Sequence, residues 1–234
     1  MKFEELDLSQ YKSNQQRYKF ALYSFYALLG VTILKLTTGV FYYFEIQKYI
    51  DTNGEDFNLT VETIHQLSYF PYLIIHLIVM ITFLMWFYRS YKNLKDIGIH
   101  LNYSAQMSIW GFIIPILNLS RPVKIAKEID AEYDHLNKRL DENHQMGTNN
   151  YSIILAWFIS YWVVNIFNRV INKMKDETIE ELLDYQFYDG ISEIATIVSI
   201  ILTLIFIRTI GQSERKFENL AELEQLNEMG NQAA

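Results

Sequence analysis

The stretch WFYRSYKNLKDIGIHLNYSAQMSIWGFIIPILNLSRP, residues 86–122, decides how this chain folds. It opens with aromatics that run into Arg89, Lys92 and Lys95, then passes a polar joint at Gly98-Ile99-His100. It closes on a short apolar run broken by Pro115 and ending in Asn118, Arg121 and Pro122. That run, Met107 to Leu119, holds about 13 residues. At a rise of about 1.5 Å per residue it falls short of a hydrocarbon core of about 30 Å. Residues 105–119 are therefore expected to form a re-entrant or interfacial segment, not a span.

Working outward, a pair of long apolar blocks lies on each side of this stretch. Upstream they cover about residues 20–44, FALYSFYALLGVTILKLTTGVFYYF, and 67–88; downstream they cover about 151–171 and 191–210. Each is long enough to cross a bilayer as a helix. Tyr42-Tyr43-Phe44 and Trp86-Phe87-Tyr88 supply the aromatic ends expected at a membrane interface. Pro71 is expected in the first turn of the second span, where its missing N–H has no partner to lose. The predicted fold class is all-α, a multi-pass transmembrane bundle of four spans.

Polar segments complete the organisation. Residues 1–19 form a leader and 211–234 a tail, with Phe217, Leu220, Leu223 and Leu226 as the tail's weakly apolar helix face. Residues 120–146 predict an amphipathic helix with Ser120 as N-cap and Pro122 in its first turn. Its stripe is Ile125, Ile129, Tyr133, Leu136 and Leu140, and Gly147 breaks it. The connections 45–66 and 172–190 are acidic loops. The first has a turn at Asn53-Gly54 and a short surface helix from Leu59 to Leu67.

Charge sets an expected orientation. Arg89, Lys92, Lys95, Arg121, Lys124, Lys127, Arg208, Arg215 and Lys216 follow the second and fourth spans, while the loops within each pair are mostly acidic. The positive-inside rule then places both termini and the 86–122 belt in the cytoplasm. The formal net charge of −7 argues against nucleic acid as a partner. Anionic lipid headgroups, a further copy of the chain or a protein partner are the expected contacts. The absence of cysteine rules out disulfides and thiolate chemistry.

Two runs, Trp86-Phe87-Tyr88-Arg89-Ser90-Tyr91-Lys92-Asn93-Leu94 and Ser108 to Pro115 with Asn118-Leu119-Ser120-Arg121-Pro122, carry a resemblance. The chain resembles a family of bacterial multi-pass membrane proteins known as domain of unknown function 4328. The likeness runs over roughly residues 20–210, with its specific signatures between 86 and 122. It implies a multi-pass membrane protein and carries no activity with it.

Two groups of residues are candidates for function. Lys35 lies inside the first span, and an ionisable group there is costly unless it has a partner or a role. Depth along the spans groups it with His76, Asn165, Asn168, Arg169 and Glu193, with Glu193 as the counter-charge. Such a group would line a pocket open to the outer face. The plainer alternative has Lys35 snorkelling outward along its stem. The second group is Trp86, Arg89, Asn93, Trp110, Pro115, Asn118, Arg121 and Pro122. Here Asn93 and Asn118 are expected to bond exposed backbone where the short run turns, and the basic residues to face headgroups.

No histidine pair has zinc-ligand spacing, and neither a phosphate loop nor a nucleophile elbow is present. No catalytic residue, metal ligand or cofactor is expected. The expected role is a non-catalytic assembly or regulatory module, with a small transporter or channel built on the outer polar group as the alternative.

Overall fold

The computed structural model describes residues 6–141 and 150–232, with side chains described through Glu224. After a single 3-10 turn at Leu8–Gln10 come α1 (Gln15–Asp51), α2 (Leu59–Asp96), α3 (Met107–Ile113), α4 (Pro115–Asn118), α5 (Arg121–Leu140), α6 (Tyr151–Ile171) and α7 (Ile179–Gln232). No strand occurs among the described residues. α1, α2, α6 and α7 are long and apolar enough to cross a membrane. Their surfaces fit that solvent: Phe70, Leu73, Leu77 and Ile81 of α2 are all exposed, as lipid-facing side chains are.

The helices outrun the apolar blocks. Hydropathy marks where a helix meets lipid, whereas helix ends follow caps and breakers, so α1 continues to Asp51 and α7 to Gln232. The short surface helix expected at Leu59–Leu67 is the first part of α2. Pro71 consequently lies in the interior of that helix and not in its first turn. The loop expected over 172–190 is helical from Ile179, because Thr178 and Glu181 form a reciprocal cap. Glu181 N–H donates to Thr178 Oγ1 at 3.2 Å, and Thr178 N–H donates to Glu181 Oε2 at 3.2 Å. The turn at Asn53-Gly54 is present, with φ of 51° and 87°.

The short run forms two short helices. Ile114, the residue before Pro115, is extended (φ −83°, ψ 118°) and separates α3 from α4. The seven residues of α3 rise only about 10 Å, too little to span. α5 buries Ile125, Ile129, Tyr133 and Leu136, with Leu140 half-buried. Ser120 holds the N-cap position without a side-chain cap bond. The expected extension of this helix to 146 and its break at Gly147 lie outside the described residues, as does the side chain of Leu226.

The chain forms two compact units. Unit 1 comprises residues 1–22, 81–156 and 205–234; unit 2 comprises 23–80 and 157–204. The core of unit 1 is aromatic. Phe83 stacks on Phe87 at 5.6 Å, Phe112 of α3 meets both rings edge-on at 5.6 Å, and Trp86 lies edge-on to Phe206 at 6.1 Å.

Candidate functional site

Unit 2 holds the first buried polar cluster. Its side chains recur at helical period: Lys35, Thr38, Gly39 and Tyr42 on α1; His65, Ser68, Tyr69 and Tyr72 on α2; Gln186, Asp189, Glu193 and Thr196 on α7. Lys35 is only 4 % exposed, so it does not snorkel. Its Nζ donates to Asp189 at 3.0 and 3.2 Å and to Glu193 Oε1 at 2.5 Å. The same ammonium lies 4.5 Å from the Tyr69 ring centre and 5.3 Å from that of Tyr72. Tyr69 OH donates to Asp189 Oδ2 at 3.3 Å. Two carboxylates and one ammonium are thus buried together against two half-buried tyrosine rings.

A neutral extension adjoins this group. The Thr38 hydroxyl lies 3.0 Å from the Lys35 carbonyl, 3.2 Å from His65 Nδ1 and 3.3 Å from Ser68 Oγ. Gln186 Nε2 donates to the Gly39 carbonyl at 3.5 Å. A Cβ on Gly39 would come within 2.9 Å of that amide and 3.3 Å of the His65 ring, so glycine permits the close approach.

The sequence-predicted group only partly converges here. Lys35 and Glu193 meet. His76 is exposed, with its ring tilted against Tyr72 at 5.4 Å. Asn165 donates to the Tyr161 carbonyl of its own helix at 2.8 Å, Asn168 accepts from Ser192 at 3.0 Å, and Arg169 is exposed. Asp189 was missed because it was assigned to a loop. The spacing of Asp189 and Glu193, four apart, places both carboxylates on one helix face once α7 starts earlier. Tyr69 and Tyr72 were missed as ordinary span aromatics.

Unit 1 holds the second cluster, around Glu214, which is 2 % exposed. Ser90 Oγ donates to its Oε2 at 2.8 Å and Trp86 Nε1 to the same oxygen at 3.3 Å. Asn14 Nδ2 lies 3.0 Å and Tyr133 OH 3.2 Å from Oε1. These donors come from the leader, α2 and α5. Burial first, then the Glu214 carboxyl, holds the Tyr133 phenol well above its ordinary value, so Tyr133 remains a neutral donor. Nearby, Asn137 Nδ2 donates to the Ser213 carbonyl at 2.9 Å.

The 86–122 residues divide between inside and surface. Trp86, Arg89, Asn93, Asn118 and Pro122 are buried, Arg121 is half-buried, and Trp110 and Pro115 are exposed. Asn118 Nδ2 donates to the Phe112 carbonyl at 3.2 Å, across the break at Pro115. Asn93 bonds backbone elsewhere: its amide donates to the Lys12 carbonyl at 2.8 Å and its oxygen accepts from Lys12 N–H at 3.3 Å, tying down the leader. Arg121 stacks 4.4 Å over Tyr103. Glu214 itself carried no sequence signal, since GQSERKFENL reads as a solvated helix.

An all-helical chain with four membrane-length apolar helices and an ion cluster buried among three of them is a multi-pass membrane protein. Residues 60–212 match the family described as Domain of unknown function (DUF4328), and the chain belongs to that family. No curated protein and no solved structure matches it.

Proposed function

We propose that the chain is a non-catalytic membrane module that assembles with a further copy of itself or with a protein partner. In this reading both termini, α5 and the 86–122 belt face the cytoplasm of a bacterial inner membrane. The supporting observation is the Glu214 hub. Four donors from the leader, α2 and α5 converge on one carboxylate of α7, and Asn93 bonds the leader a second time. Trp86 and Asn93 are thereby spent as internal supports, and unit 1 becomes a rigid base for docking. The basic residues around it favour the cytoplasmic side and anionic headgroups.

Two measurements test this. The chain has no cysteine, so Gln10→Cys and Lys138→Cys should be shielded from an impermeant maleimide in intact cells, and Glu55→Cys and Glu177→Cys labelled. Cross-linking in native membranes should then trap a dimer or a defined hetero-complex, while proteoliposomes show no ion flux above protein-free vesicles.

A second reading, a small cation transporter, is favoured by one observation. The Lys35–Asp189–Glu193 group carries one more negative than positive formal charge in a buried place. A monomer in native membranes combined with ion flux in proteoliposomes would replace the first reading by the second.

A further inference from the structure

Unit 2 contains one buried atom that its hydrogen bonds do not explain. Glu193 is 5 % exposed, and its Oε1 is held by Lys35. Its Oε2 is also buried and has no hydrogen-bond partner among the described residues. Asp189, 9 % exposed, uses both its oxygens on Lys35, and one also on Tyr69.

The charges of the cluster do not balance. Lys35 supplies one positive charge and Asp189 and Glu193 two negative ones. A buried carboxylate needs an opposite charge or several donors, as Glu214 has, because the desolvation penalty reaches several kcal/mol per ion. The other titratable groups facing the cluster are His65, Tyr69 and Tyr72 from α2 and Tyr185 from α7. None of them brings a permanent positive charge. The unbonded oxygen and the unbalanced charge fall on the same side chain.

We propose that the Lys35–Asp189–Glu193 cluster is a binding site for one exchangeable monovalent cation, with Glu193 Oε2 as its ligand atom. The ligand atom is a carboxylate oxygen, which suits a hard cation: a proton or an alkali ion of sodium size. Among the described residues no three His, Asp or Glu side chains converge as a metal site, so the two carboxylates match a single charge better than a divalent ion. Lys35 acts as a fixed counter-charge for one carboxylate, and the exchangeable cation balances the other. Binding at this atom goes beyond the module reading and does not require the cation to cross the membrane.

The test uses the full chain in lipid nanodiscs. Thermal unfolding is followed in choline chloride at fixed ionic strength while sodium, potassium or lithium replaces choline, and separately while pH is lowered without alkali ions. A cation that binds only the folded state should raise Tm by about 5 °C at a concentration about 100-fold above its dissociation constant. An alkali response identifies the ion; a response to acid alone identifies the proton. Glu193→Gln, which keeps Oε1 for Lys35 and balances the charge, should abolish the response, whereas His76→Gln should retain it.

The proposal is overturned if the wild-type chain responds in neither arm, or if Glu193→Gln responds as the wild type does. A second measurement counts protons. Adding the responding alkali ion to weakly buffered wild-type protein should release about one proton per chain when the two compete for Oε2, and in an acid-only response the wild type should take up about one proton more than Glu193→Gln. No exchange in either case also overturns it. Flux through proteoliposomes reports separately on the module reading, so cation binding without flux leaves that reading intact.

Discussion

In unit 1 a single carboxylate, Glu214, is surrounded by uncharged donors; in unit 2 an ammonium, Lys35, is surrounded by carboxylates. The first arrangement needs geometry. Four side chains from separate segments must arrive together, and each contributes a modest hydrogen bond. The second arrangement needs charge, and its strength depends on balance rather than on the number of partners. A hub built from uncharged donors suits a part that must hold one shape. A charged group with a remainder suits a part that responds to ions.

The largest expected effect breaks the charge balance. Lys35→Met leaves two buried carboxylates facing each other and should cost about 3–5 kcal/mol of stability. Adding Asp189→Asn and Glu193→Gln to it should recover most of that loss. Denaturation of the purified variants in detergent decides this: a single variant as stable as the triple variant would show that charge is not what unit 2 depends on.

Next comes Glu214→Gln, which turns one acceptor oxygen into a donor against Asn14, Ser90 or Trp86. The expected cost is about 1–3 kcal/mol, read as a lower Tm and a lower monodisperse yield. If this change costs more than Lys35→Met, the contrast between the two clusters is inverted.

Packing in unit 1 gives a third test of similar or smaller size. A Cβ on Gly211 would come within 2.2 Å of the buried Tyr18 ring, on which Arg215 also stacks at 4.7 Å. Gly211→Ala should therefore cost about 1–3 kcal/mol. Pairing it with Tyr18→Ala should make the two changes non-additive in a double-mutant cycle.

The smallest effects lie at the break beside Pro115. Asn118→Ala removes the bond to the Phe112 carbonyl, at about 1 kcal/mol. Arg121→Ala removes a stacked guanidinium, at about 0.5–1 kcal/mol. Unchanged thermal stability of both variants would show that the break needs neither support.

What could be read in advance follows the same contrast. A lysine inside VTILKLTTG stands out because lipid penalises it, and Glu193 follows as its partner at matching depth. Asp189 and the α2 tyrosines required knowing where the helices begin, which polarity obscured and the Thr178–Glu181 cap decided. Glu214 was illegible for a physical reason. An acid in a charged helix is normally solvated, and only the arrival of Asn14, Ser90 and Tyr133 from distant segments makes it a buried one. The four long apolar helices and the apolar face of α5 were legible because they depend on local period and length alone.

The bond from Asn14 to Glu214 joins residues 200 positions apart. During synthesis at about 5–20 residues per second, the leader emerges roughly 10–40 s before its acceptor exists. Asn14 must wait for this bond until the final helix is delivered and inserted. Unit 1 is thus a late-closing assembly, and a chain stalled or truncated before Glu214 should hold its leader through α2 alone.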